Sequence, residues 1–187
     1  MAVFMMINGS FVSIGTNVSA IYGNPKNHGG GFGPSQISLI AGSSTILGVA
    51  SAFGFGYILK ATHKNLLLLK VCVFGCFFGL CIGTYIFYTG NVASIYIISF
   101  LISMLQIPAV PMAINFASEI TFPQEATVIT GFLLMSSRLS GFVMAIITTA
   151  FTRYGSAAAL GFLALCNLGS SITILFLKED LKKYNFS

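Results

Sequence analysis

A single arginine, Arg138, stands near the middle of residues 127–151, an apolar stretch long enough to cross a membrane. On insertion scales an arginine at that depth costs about 2.5–3.5 kcal/mol, which makes it a functional candidate. Projected on a helix at about 100° per residue, Thr127, Thr130, Ser137, Arg138, Gly141 and Thr148 fall within an arc of about 80–100°. The opposite side is largely Val, Ile, Leu, Phe and Met. A polar stripe on one side of a membrane helix faces a bundle interior or an aqueous cavity rather than lipid. The chemistry Arg138 offers there is recognition of an anion or carboxylate through its fork of donors. Its structural alternative is pairing with helix carbonyls or a carboxylate elsewhere.

Other polar groups recur at helical spacing. Ser10, Ser13 and Asn17 share one face of residues 2–22, and Gln106, Asn167 and Ser170 stand singly in later apolar runs. Each suits either solute contact or an interhelical hydrogen bond. The acids are Glu119, Glu125, Glu179 and Asp180, all at or beyond the ends of apolar runs, so the sequence contains no intramembrane proton relay. His28 and His63 fall in loops, and no HExxH or GxSxG motif occurs, which argues against an enzyme. Cys72, Cys76, Cys81 and Cys166 lie inside apolar runs and read as packing thiols. No metal or cofactor is implied.

The elements that must position these groups follow from composition. The 187 residues are 56% hydrophobic and 7% charged, against roughly 25% charged for a soluble domain. Such a chain belongs in a lipid bilayer. The net charge of +5 forms no basic patch with interleaved aromatics, which excludes nucleic acid. A span needs roughly 20 apolar residues, and six stretches qualify: 2–22, 36–59, 66–88, 92–114, 127–151 and 157–177. The expected fold is therefore an all-α, six-helix membrane domain over residues 1–187, ending in a tail at 178–187. The Gly- and Asn-rich stretch 23–33 reads as a flexible loop, with Pro34 suited to the first turn of the next helix.

Six crossings put both termini on one side. Lys60, Lys64, Lys70, Lys178, Lys182 and Lys183 fall near it, against Lys26 and Arg153 opposite, so a multi-pass protein with cytoplasmic termini is expected. Three Asn-x-Ser sequons, at Asn8, Asn17 and Asn185, are then unavailable for glycosylation. Gly75, Gly79 and Gly83 form a small-residue stripe suited to close packing of a neighbouring helix. Pro108 and Pro111 each remove a helix hydrogen bond, so a kink or break is expected there.

The run Pro111-Met-Ala-Ile-Asn-Phe-Ala-Ser-Glu119-Ile-Thr-Phe-Pro123, followed by Gly131 and Gly141, resembles the end of the tenth helix and the eleventh helix of the feline leukaemia virus subgroup C receptor-related family, within the major facilitator superfamily. The segment from Gln36 to Lys64 is similar to that family's eighth helix, and Arg153-Tyr154-Gly155 to the loop before its twelfth. The resemblance implies the C-terminal half of a twelve-helix transporter, with a substrate cavity between two halves and alternating access. It also implies haem, choline or a related small organic solute as substrate. Lys60, Val12 and Arg138 replace an acidic residue, an aromatic and a Gln of the family pattern, and Arg138 favours an anionic solute over a cationic one. The expected partners are a small-molecule substrate and a second six-helix half or a second copy. The rival reading is a non-transporting membrane partner or a truncated regulatory fragment.

Overall fold

The computed structural model describes residues 2–24, 32–62, 65–89, 92–121 and 125–176. Among these, every regular element is an α-helix: α1 (Ala2–Thr16), α2 (Val18–Tyr22), α3 (Pro34–Thr62), α4 (Asn65–Thr89), α5 (Val92–Ile120), α6 (Ala126–Thr152) and α7 (Ser156–Leu175). Five of them, α3 to α7, are long and apolar enough to cross a membrane. Pro34 opens α3, where its missing amide donor costs nothing. The stretch 25–31, His63, Lys64, Pro123 and the tail 178–187 lie outside the described residues.

The first apolar stretch is not one uninterrupted helix. Asn17 leaves helical geometry (φ −104°, ψ 15°) and separates α1 from α2. Asn17 N still donates to Ser13 O at 3.1 Å, and Ile21 N to Asn17 O at 2.8 Å, so backbone bonds bridge the distortion. Its cause is the Asn17 side chain, whose amide turns back onto Ser13 O (3.1 Å) and outward to Ala145 O (3.2 Å). A short amide that competes for backbone groups loosens a helix in this way.

Neither Pro108 nor Pro111 breaks α5, which runs from Val92 to Ile120 through both. Pro108 takes away the donor that Met104 O would receive four residues later. Ser51 of α3 supplies a replacement, its hydroxyl lying 2.8 Å from Met104 O and 2.7 Å from its own Gly48 O. Three residues earlier on α3, a Cβ on Gly48 would stand 2.9 Å from Ser103 O and 2.2 Å from Ile107 Cδ1. The backbones of α3 and α5 therefore touch where the proline frees a carbonyl.

Helices α1, α4, α5 and α7 surround the centre, while α3 is laid on α5 and α6 on α1. Burial records this difference. In the most apolar stretch of α3 and of α6, 17% of residues are buried, against 44% or more in α4, α5 and α7. The Gly75, Gly79 and Gly83 stripe of α4 receives Leu105, Ile102 and Ile98 of α5, so it is an internal helix contact. Two hydrophobic clusters fill the bundle, one around Ile7, Leu69, Cys72 and Phe116, the other around Ile21, Leu80, Ile95 and Leu163.

Candidate functional site

Between those clusters lies a layer of buried polar side chains at the mid-depth of the bundle. Asn8 Nδ2 donates to Ser137 Oγ (2.9 Å), Asn167 Nδ2 to Ser10 Oγ (2.8 Å), and Gln106 Nε2 to Ile7 O (3.3 Å). In an apolar medium such groups require partners. Asn167 Oδ1 is fully buried and accepts no hydrogen bond from the described residues.

The polar stripe of α6 meets that of α1 in a seam between Ser137 and Thr149. Below the Asn8–Ser137 pair, Ser140 Oγ donates to Met5 O at 2.9 Å. Above it, Ser13 Oγ donates to Thr148 Oγ1 at 2.8 Å, and Thr149 Oγ1 to Asn17 Oδ1 at 2.7 Å. Glycines permit the approach. A Cβ on Gly141 would lie 2.9 Å from Val12 Cβ, and one on Gly9 2.9 Å from Ser140 Oγ. Ser13, Asn17 and Ser137, expected as solute contacts or helix contacts, are here occupied in joining α1 to α6.

A pocket of about 250 Å³ opens between α1, α3 and α5 in the half of the bundle away from the N-terminus. Its floor is Gln106, the midpoint of α5. Gln106 is 1% exposed, and its Oε1 has no partner among the described residues while Nε2 is engaged with Ile7 O. One turn above, Ser103 adds a hydroxyl without a partner among the described residues. Ser99 completes the line, its Oγ donating to Ile95 O (2.6 Å) and lying 2.7 Å from Tyr22 Oη. Because the Ser99 proton is spent on Ile95 O, Tyr22 must donate, leaving its phenolic oxygen as an acceptor. Edge-on contacts with Phe32 (6.3 Å) and Phe87 (5.3 Å) fix the Tyr22 ring. Phe11, Ile14, Ile40, Ile98 and Ile102 supply apolar walls, and none of the lining residues is charged. A site with apolar walls and a few convergent polar groups is the usual form of a small-molecule pocket.

Of the solute-contact candidates Arg138, Thr130, Ser137, Ser13, Asn17 and Gln106, Gln106 alone lines this pocket. Thr130 is half-buried, and Arg138 is exposed on the outer side of α6; neither lines a described pocket. Pro108 and Pro111 border a second crevice of about 230 Å³ between α3 and α5, with Asn115 at its edge. Glu119 is held at the first turn of α4 by Asn65 Nδ2, 2.7 Å from both carboxylate oxygens, where a helix N-terminus favours an anion. Gly131 meets no neighbouring atom. Sequence reasoning missed Tyr22, Ser99 and Ser103. The spacing of Ser99, Ser103 and Gln106 (i, i+4, i+7) was the available signal, since it places all three on one face of α5.

Compared with models of known protein families the chain matches none, and no curated protein is significantly similar to it.

Proposed function

We propose that the chain is one six-crossing half of a membrane transporter of the major facilitator type. Its pocket between α1, α3 and α5 forms one wall of a solute path used by alternating access. The α1–α2 pair, bridged by backbone bonds at Asn17, counts as the sixth crossing. The observation that carries the reading is the neutral, acceptor-rich pocket that reaches the midpoint of α5 at Gln106. Transporter sites lie near the bilayer midplane and use interrupted helices, and α1–α2 is interrupted at Asn17, beside this pocket. The distribution of lysines favours cytoplasmic termini, and with that orientation the pocket would lie in the outer half of the membrane.

The lining chooses a substrate class. Gln106 Oε1 and Tyr22 Oη accept, the Ser103 hydroxyl can accept or donate, and the walls are apolar and aromatic. A small amphipathic organic solute presenting N–H or O–H donors fits; a carboxylate would find no cation in this wall.

Uptake tests this directly. Native membrane vesicles containing the full chain are given a mixture of small metabolites, and the solutes taken up are identified by mass spectrometry. Uptake of a donor-bearing solute should exceed that of vesicles lacking the chain. It should fall at least about tenfold in Gln106→Leu, which removes a polar contact worth about 1.5 kcal/mol. Equal uptake with and without the chain contradicts the transport reading and favours a non-transporting membrane partner.

A further inference from the structure

Arg138 is the thirteenth residue of the 27-residue helix α6. At about 1.5 Å per residue it stands about 18 Å from the first residue and about 21 Å from the last. The side chain is too short to snorkel over that span to either membrane surface. It is exposed, and it makes no hydrogen bond or ion pair with the described residues.

Its surroundings exclude the simple ways out. The neighbours one helical turn away and adjacent, Met135, Leu139 and Phe142, are apolar and 76%, 66% and 64% exposed. That is no lining for a water-filled passage. It is also no place for an arginine against lipid, where the penalty is about 2.5–3.5 kcal/mol. Among the described residues no carboxylate lies at that depth: Glu119 is next to last in α5 and bound to Asn65, and Glu125 precedes the first turn of α6. A second copy meeting this face about a two-fold axis would bring like patch to like patch, Arg138 toward Arg138.

We infer that the outer face of α6 is a docking surface for a membrane-spanning helix from outside these 187 residues, one that carries an Asp or Glu at the depth of Arg138. This rests on the half-transporter reading for the origin of that helix, but its physical basis is a cation with no partner among the described residues. The apolar side chains around Arg138 pack against the incoming helix, and the carboxylate takes the guanidinium fork. Removal of water and lipid from around the pair strengthens it and fixes the relative depth of the two helices.

The test places a photoreactive benzoylphenylalanine at Phe142 or Leu139 of the full chain in its native membrane, with the adduct peptide sequenced after irradiation. The expected adduct is a foreign membrane segment with an Asp or Glu within about one helical turn of the depth of Arg138. Its yield should fall about tenfold in Arg138→Leu and persist in Arg138→Lys. Both variants keep good helix formers in α6. Adducts to lipid alone, to a second copy of this chain or to a segment without an acid overturn the inference, as does a yield unchanged by Arg138→Leu. Uptake that depends on Gln106 alongside lipid-only adducts would overturn the docking surface and leave the transport reading standing.

Discussion

Ser51 and Pro108 show how a single hydroxyl lets a proline stay inside a membrane helix. With Pro108 present, Met104 O depends on Ser51 of the neighbouring helix, 2.8 Å away. Ser51→Ala should lower stability by roughly 1 kcal/mol, in line with interhelical hydrogen bonds in membranes. In a Pro108→Ala background, where the backbone amide again serves Met104, the same change should cost little. A double-mutant cycle of unfolding in detergent measures the coupling, and equal costs in both backgrounds would contradict the replacement role. Nearby, Gly48→Ala sets a methyl 2.9 Å from the fixed Ser103 carbonyl and should destabilise by about 1–3 kcal/mol in the same assay. The helical wheel found the polar residues of α6 without their partners. Thr148 and Ser137 look the same in sequence whether they face solute or α1, because an interhelical contact is fixed by packing between distant segments. Arg138 next to Ser137 falls in the same stripe on the wheel, yet about 100° of rotation takes it from the α1 seam to the open face.

At the level of helices, the bounds expected for the second to sixth apolar runs agree with α3–α7 to within a few residues, except that α5 continues to Ile120. Hydrophobic length dictates such spans. The two departures arise from side chains answering backbone groups across helices: Asn17 interrupts a span by bonding to α6, and Ser51 sustains one by bonding to α5. The α1–α6 seam also fixes these helices as parallel and in one register. With the four native cysteines replaced, Ser13→Cys with Thr148→Cys should form a disulfide on oxidation, since the native oxygens are 2.8 Å apart. Ser13→Cys with Ser137→Cys, offset by about 16 Å along α6, should not. Mass spectrometry of the linked peptides reads the result, and the reverse pattern would contradict the register.

Across the whole molecule, four helices make a closed centre and two, α3 and α6, are each attached by one face. The pocket lies under one of these, α3, and Arg138, a cation with no partner among the described residues, lies on the other, α6. Composition made the membrane and the all-helical fold legible. The pocket was not, because it needs Tyr22, Ser99, Ser103 and Gln106 brought together from segments more than 70 residues apart in sequence, the Tyr22–Ser99 separation alone being 77. The claim that this pocket serves a solute rather than lipid is tested most directly by thiol labelling at its centre. In a background with the four cysteines replaced, Ser103→Cys is exposed to a membrane-impermeant maleimide, with and without the solute identified by uptake. Labelling by the impermeant reagent, slowed by that solute and not by an unrelated one, is the expected result. Labelling by lipid-soluble reagents alone, unaffected by any solute, would contradict a solute path between α1, α3 and α5.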